Sequence, residues 1–180
     1  LFPEQTLETG FIDYVVIGQG EAPFLGLVRA LKGDRPLEGV ERIGYREQGR
    51  TVIKRGPVEE IDVRAIPYHL VFRYGRPVNV PILSSYGCPY HCSFCVEKVL
   101  HPVYYEIPLA DVLAMIEGAL RLKPQFINFL DDNFLLNRKR VMNLFSLIYQ
   151  KGLDFSWVCM GRADGVMRMN DEVLWFLKQR

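Results

Sequence analysis

Three cysteines within eight positions constrain this 180-residue chain more than any other feature. Cys88, Cys92 and Cys95 have the spacing Cys-x3-Cys-x2-Cys, and Gly87 and Pro89 favour a compact loop that can fold the thiols around one object. Soft thiolates select iron–sulfur clusters, zinc or copper(I). Structural zinc sites and ordinary cluster carriers take four protein ligands, so three thiols leave one coordination position open for a molecule that reacts.

Two other side chains are candidates for a fourth ligand. Cys159, the remaining cysteine, lies in the apolar run 155–160, which predicts a buried core thiol. His91, between two of the clustered cysteines, stays open as the alternative donor.

The second half of the chain alternates strands with helices. Residues 80–85, 126–130 and 155–160 are predicted strands, and the nearly continuous apolar run of the middle one is typical of a strand buried on both faces of a parallel sheet. Asn137 is a predicted helix N-cap, and Gly152 is predicted to close the same helix. The helices are indicated by apolar residues at helical spacing, namely Leu109, Val112, Leu113, Ile116 and Leu120, then Val141, Leu144, Phe145 and Ile148, and by the start of a third helix at residues 170–172.

Repeated strand–helix units imply right-handed crossovers and a parallel sheet, in which chemistry collects at the carboxyl ends of the strands. The cysteine loop follows the first strand, Asp131 and Asp132 follow the second, and Arg162 and Asp164 follow the third. A carboxylate there could accept hydrogen bonds from an ammonium group, with Asp132 slightly preferred. The alternatives are two solvated turn carboxylates and a surface salt bridge of little energetic consequence.

The first 55 residues have a different pattern. Residues 13–17 read as a strand, the turn Gly18-Gln19-Gly20 follows, and Glu21 opens a helix. Such a turn can receive a ligand at backbone N–H groups, although the residues alone favour a tight turn that needs positive φ. Segments flanking residues 47–50 predict a β-hairpin. Residues 56–79, punctuated by proline and containing His69, read as an interdomain linker in which a structural role for His69 is expected.

Composition excludes several classes of protein. A net charge of +1 argues against a nucleic-acid binder, and no apolar run reaches the ~18 residues of a membrane span. Clustered thiols fit a reducing compartment, so a cytoplasmic location is expected. The chain starts without methionine and stops inside a predicted helix, as expected of an internal fragment.

The cysteine spacing, with Phe94 before the last cysteine and the lead-in Ser-Ser-Tyr-Gly-Cys-Pro, resembles the cluster loop of the radical S-adenosylmethionine (radical SAM) superfamily. The flanking segments resemble the subgroup with an upstream cobalamin-binding domain. The resemblance implies that Cys88, Cys92 and Cys95 hold a [4Fe-4S] cluster whose open iron binds S-adenosylmethionine (SAM). The cluster would then cleave SAM to a 5'-deoxyadenosyl radical, with an electron from a donor such as flavodoxin or ferredoxin.

The resemblance also implies an α/β fold in parts. Residues 1–55 would end a Rossmann-like (flavodoxin-like) cobalamin-binding domain, and residues 80–180 would be the first three units of a full or partial TIM-type barrel. Gly18, Gly20 and Glu21 would then lie near cobalamin, although the Asp-x-His-x-x-Gly signature of a cobalt ligand is not in this sequence.

Further cofactor contacts are implied residue by residue. Leu130-Asp131-Asp132 stands where the family usually has Gly-Gly-Glu, which serves the amino group of SAM. Phe94 would pack near the adenine or shield the cluster, and Arg162 would contact the methionine part or line the substrate pocket. No residue is assigned as catalytic.

Three hypotheses remain at this point. The first is a cobalamin-linked radical SAM enzyme that performs methyl transfer or rearrangement on an unactivated carbon of a small molecule or peptide. The second is a radical SAM enzyme that does not use cobalamin. The third is a non-catalytic iron–sulfur or zinc module.

Overall fold

The structure is a computed structural model that describes residues 2–57, 68, 70, 75–101 and 103–178. The chain divides into two compact units, residues 1–62 and 63–180. Most of the predicted linker 56–79, including His69, lies outside the described residues. In the part of the chain that is described, no helix has both the length and the apolar character needed to cross a membrane.

The first unit is a three-stranded antiparallel sheet with two helices and a 3-10 turn. A small core of Leu27, Val40, Ile43 and Tyr45 holds it together. The elements are α1 (Pro3–Glu8), β1 (Tyr14–Val16), α2 (Glu21–Leu31), the 3-10 turn Leu37–Gly39, β2 (Ile43–Glu47) and β3 (Arg50–Lys54).

The predicted strand, glycine turn and helix of this unit are present, and so is the predicted hairpin, as β2 and β3. β1 pairs antiparallel with β2, from Tyr14 opposite Tyr45 to Val16 opposite Ile43. Among the described strands β1 has no parallel neighbour, so its membership of a Rossmann-like domain stays a prediction.

The second unit is built on a three-stranded parallel sheet whose strands are connected by helices, as the sequence pattern predicted. Its strands are Asn79–Ile82 (β4), Phe126–Phe129 (β7) and Ser156–Cys159 (β8), in the order β4-β7-β8. The elements are β4 (Asn79–Ile82), β5 (Ser85–Tyr86), α3 (Glu97–Leu100), β6 (Tyr105–Glu106), α4 (Leu109–Leu120), β7 (Phe126–Phe129), α5 (Arg138–Gln150), β8 (Ser156–Cys159), α6 (Ala163–Met167) and α7 (Asp171–Lys178).

The helices cover one face of this sheet. Ile127 and Phe129 of the central strand are completely buried, and they share a core with the apolar stripes of α4 and α5. Trp157 of β8 packs on Phe145 of α5, with ring centroids 4.7 Å apart. Both helix stripes are therefore confirmed, as are the N-cap at Asn137, whose Oδ1 accepts a hydrogen bond from the Arg140 N–H, and the positive φ at Gly152.

The other face of the sheet is more exposed than the sequence predicted. Phe126 and Asn128 of the central strand are half-buried, so β7 is fully buried on one face only. The strand register aligns the outward residues of all three strands. We call this surface the open face; it consists of Asn79, Pro81, Phe126, Asn128, Ser156 and Val158.

Two local predictions differ from the structure. The first strand ends at Ile82, and Ser85–Tyr86 leaves the parallel sheet to pair antiparallel with Tyr105–Glu106. Pairing with β6 gives the backbone of residues 85 and 86 hydrogen-bond partners that a continued β4 would have had to find in the parallel sheet. The short helix α6 (Ala163–Met167) was not predicted, because five residues are too few to show a helical period.

Candidate functional site

A two-stranded ladder closes the base of the cysteine loop. Ser85 pairs with Glu106 and Tyr86 with Tyr105, and the Ile107 N–H donates to the Ser84 carbonyl at 2.9 Å. Residues 87–104 are therefore held at both ends, and the three cysteines lie in the first half of this segment. The ladder therefore fixes where the cysteine loop leaves the parallel sheet.

Gly87 makes the turn into the loop possible. Its φ is +71°, and a Cβ there would lie 2.8 Å from the Val103 carbonyl oxygen and 2.9 Å from that of His101. Backbone therefore packs directly against Gly87 where the loop returns. Glycine is the residue that tolerates both this φ and this close approach.

The loop carries three thiols, the donor type that an iron–sulfur cluster requires. Cys88, Cys92 and Cys95 are free and half-buried, and the Cys95 N–H donates to the Cys92 carbonyl at 3.0 Å in a tight turn. Three soft donors on one braced loop fit an iron–sulfur cluster with one open position. His91 is exposed, and its role as a fourth donor stays a prediction.

The adjacent aspartates occupy different environments. Asp131 is 1% exposed. Its Oδ1 accepts the Ser84 N–H at 2.7 Å, and its Oδ2 accepts the hydroxyls of Ser84 and Ser85 at 2.6 and 2.5 Å. This carboxylate thus ties the end of β7 to the segment that leads into the cysteine loop, and its oxygens are engaged there.

Asp132 faces the loop itself. One of its carboxylate oxygens lies within 4.8 Å of donor atoms of both Glu97 and His101, and His101 Nδ1 lies 2.8 Å from Glu97 Oε2. Burial raises the pKa of Asp132, and the charge and hydrogen bond of Glu97 raise it further, while His101 and the Gly87 N–H act in the opposite direction. A half-buried carboxylate beside a second carboxylate is well suited to a cationic ligand.

Arg162 reaches from the end of β8 to the cysteine loop. Its Nη1 lies 3.5 Å from Cys92 Sγ, its guanidinium carbon lies 4.0 Å from the centre of the Tyr90 ring, and its Nε donates to Asp164 Oδ1 at 2.9 Å. The hydrogen bond to Asp164 raises the pKa of Arg162. Burial alone would raise the pKa of Asp164, but Arg162 and Arg168 lower it. The surface salt bridge foreseen as an alternative exists, and it also contacts the loop.

Three features of this arrangement were not predicted from the sequence. Tyr90 packs under Arg162, and Glu97 and His101 form a pair next to Asp132. The i,i+4 spacing of Glu97 and His101 was a signal for that pair. Asn133 is buried and its Oδ1 accepts the Arg162 N–H at 3.3 Å, which joins the loops after β7 and β8.

Other predicted site residues lie apart from these contacts. Phe94 is 91% exposed on the loop. Cys159 is half-buried against the core, and burial, with the charge of Asp131, raises the pKa of its thiol to about 11. The thiol packs against the core as predicted, although it is half-buried rather than fully buried.

The glycine turn lies in the first unit. Gly18 has φ +72°, and Gly20 is the N-cap of α2, which begins at Glu21. The Arg42 side chain packs directly against Gly18, so an added Cβ would clash with the Arg42 guanidinium. Positive φ and close packing account for Gly18, and the role of the turn in cobalamin binding stays a prediction.

Several known proteins are similar to this chain in sequence. No protein-family model matches the chain. An uncharacterized methyltransferase of Pyrococcus horikoshii is 34% identical over 98% of this chain and 40% of its own length. An anaerobic magnesium-protoporphyrin IX monomethyl ester cyclase of Synechocystis is 25% identical over 89% of this chain and 34% of its own length.

Solved structures share the fold. The cobalamin-dependent S-adenosylmethionine radical enzyme OxsB, solved with aqua-cobalamin and S-adenosylmethionine bound, aligns with a TM-score of 0.69 and 20% identity over 98% of this chain and 27% of its own. The radical S-adenosylmethionine methyltransferase TsrM of Kitasatospora setae, solved with cobalamin and a [4Fe-4S] cluster bound, aligns at 0.60 and 21% over 83% of this chain and 32% of its own.

The predicted resemblance to cobalamin-linked radical SAM enzymes is confirmed by these relatives and folds. The chain spans about 40% of the methyltransferase and a smaller part of the other three proteins, which fits the expected internal fragment.

Proposed function

We propose that this chain is the cluster-bearing part of a radical SAM methyltransferase linked to cobalamin. Cys88, Cys92 and Cys95 would hold a [4Fe-4S] cluster, and SAM would bind its open iron. The observation that supports this most directly is the braced loop, which carries three free, half-buried thiols and whose residues Glu97 and His101 lie beside the carboxylate of Asp132. When bound, the cluster supplies the electron for reductive cleavage of the SAM sulfonium.

Asp132 would accept the ammonium group of SAM. Its carboxylate is half-buried and close to Glu97, so a bound cation offsets the repulsion between two carboxylates. Charge-assisted hydrogen bonds to the ammonium would orient the methionine part of SAM towards the loop. Asp131 is less suited to this role because Ser84 and Ser85 already occupy its oxygens.

The remaining predicted residues would act around this centre. Phe94 is exposed on the loop, where it could pack on the adenine of SAM, and Arg162 lies at the third strand end, within reach of the loop. Gly18, Gly20 and Glu21 would border the cobalamin site of the first unit.

The whole protein would take a small-molecule or peptide substrate and an electron donor such as flavodoxin or ferredoxin. Methyl transfer is preferred over cyclisation because the relative with 34% identity is a methyltransferase, whereas the cyclase has 25%.

Electron paramagnetic resonance of the full-length protein, reconstituted anaerobically and reduced, tests the proposal. We expect a cluster signal that changes when SAM is added. Cys92→Ala should lose the cluster, and Asp132→Asn should keep the cluster signal but require more SAM to change it. The matched control is Asp154→Asn, because Asp154 is an exposed carboxylate that precedes β8 and lies at the other end of the sheet.

Two results would contradict the proposal. One is a cluster signal that is indifferent to SAM, which would leave an electron-carrying module. The other is bound zinc and no iron after reconstitution. An Asp132→Asn variant that responds to SAM as the wild type does would remove only the role of Asp132.

A further inference from the structure

The Arg162 guanidinium is held against a cysteine of the loop by several contacts. Tyr90, two residues before Cys92, packs on one face of the guanidinium, and Asp164 accepts its Nε–H at 2.9 Å. The backbone N–H of Arg162 donates to buried Asn133 at 3.3 Å. The side chain is therefore positioned by contacts within the protein, and its Nη1 lies 3.5 Å from Cys92 Sγ.

A contact of this kind has a direct electrostatic consequence. Sulfur is larger than oxygen, so N–H···S hydrogen bonds are longer than N–H···O bonds, and 3.5 Å is a normal length. Reduction adds one negative charge to a cluster and its thiolates. A cationic donor on a thiolate stabilises the reduced state more than the oxidised state, and hydrogen bonds to the sulfurs are among the factors that set the reduction potential.

We propose that Arg162 is a positioning residue that donates a hydrogen bond to the Cys92 thiolate and thereby raises the reduction potential of the cluster. The inference rests on the proposed function, because it requires a cluster on Cys92. Asp164 cancels part of the long-range field of the guanidinium, so the hydrogen bond itself supplies most of the effect. Tyr90 contributes by stacking, which keeps Nη1 directed at the loop.

A redox titration of the full-length, reconstituted protein without SAM tests this role. Titanium(III) citrate gives one electron to the oxidised cluster and becomes titanium(IV), and the electron paramagnetic resonance signal measures the reduced fraction at each potential. In Arg162→Gln we expect the ratio of reduced to oxidised cluster at a fixed potential to fall about three- to tenfold, where tenfold corresponds to about 59 mV for one electron.

Arg168→Gln is the matched control. Arg168 also contacts Asp164, at 3.4 Å, but is not among the partners of Cys92 in the described contacts. The cluster of the Arg168→Gln variant should have the same reduction potential as the wild-type cluster. Tyr90→Leu, which removes the ring under the guanidinium, should shift the potential in the same direction as Arg162→Gln and by less.

An unchanged potential in Arg162→Gln with full iron content would overturn the inference, and so would an equal shift in Arg168→Gln. Loss of iron from both Arg162→Gln and Tyr90→Leu would assign Arg162 to holding the loop instead, and would also overturn it. If the potential does not move while the wild-type signal still responds to SAM, the inference fails and the proposed function stands. If the wild type takes no cluster, the proposed function fails first.

Discussion

Gly87 combines two demands that no other residue type meets together. Its φ of +71° is costly for an L side chain, by about 1–2 kcal/mol. In addition, a Cβ would lie within 3.0 Å of two backbone carbonyl oxygens, those of His101 and Val103. Because both clashing atoms are main-chain atoms of the returning loop, relief requires the loop to move away from the ladder that closes it.

Gly87→Ala should therefore abolish most of the iron binding while the remainder of the second unit stays folded. Iron and sulfide content after anaerobic reconstitution measures the first effect, and far-ultraviolet circular dichroism measures the second. Gly152→Ala is the control, since Gly152 also has positive φ, +65°, but has open space around a Cβ. It should lose about 1 kcal/mol of stability and keep its iron. Equal iron content in the two variants would contradict the prediction.

The adjacent aspartates mark the limit of sequence reasoning at this scale. Their position after β7 predicted two carboxylates at this strand end, and the structure gives the two different partners, while a role in binding SAM stays a prediction. Which aspartate braces the loop depends on Ser84 and Ser85, which lie 47 and 46 residues before Asp131 in the chain. A single sequence does not encode that pairing in any local pattern. The same holds for Arg162 and Cys92, which are 70 residues apart.

At the scale of elements, the start of α5 depends on one side chain. Asn137 Oδ1 accepts the Arg140 N–H at 3.1 Å, and Asn137 Nδ2 donates to Glu106 Oε1 at 2.9 Å. The residue thus caps the helix and ties it to β6, the strand that closes the cysteine loop. An N-cap contributes about 1 kcal/mol because it satisfies an N–H group at the helix start.

Asn137→Ala should reduce the free energy of unfolding by about 1–2 kcal/mol. Asn137→Ser keeps an oxygen that can cap the helix and loses only the contact with Glu106, so it should cost less than about 1 kcal/mol. Guanidinium unfolding followed by circular dichroism measures both. If serine proved as destabilising as alanine, the contact with Glu106 rather than the cap would be the dominant interaction.

Elements with a regular pattern were predictable, whereas the two-residue strands β5 and β6 and the five-residue helix α6 were not. The stripes of α4 and α5 repeat over three turns or more, so their buried faces could be identified residue by residue. β5 and β6 have two residues each, and such strands have no periodicity to detect. Their pairing arises from tertiary contacts, yet it determines where the cysteine loop begins and ends.

At the scale of the whole molecule, the open face raises the question of what covers it. A parallel sheet normally has both faces covered, and in a barrel the second face is the packed interior. Here it combines polar Asn79, Asn128 and Ser156 with apolar Phe126 and Val158. Since the chain spans about 40% of the related methyltransferase, the barrel implied by the sequence resemblance would require further strands to enclose this face.

Val158→Lys tests that enclosure. Val158 is 45% exposed in this chain, so lysine should change the stability of the 180-residue chain by no more than about 0.5 kcal/mol. In the full-length protein an enclosed lysine would be an unpaired buried charge, which costs about 3 kcal/mol or more.

Met167→Lys is the control, because Met167 on α6 is 83% exposed and does not belong to the open face. Denaturant unfolding measures the stability of both variants, in the 180-residue chain and in the full-length protein. A small effect of Val158→Lys in the full-length protein would mean that this part of the open face stays accessible to water, which would contradict its enclosure by further strands.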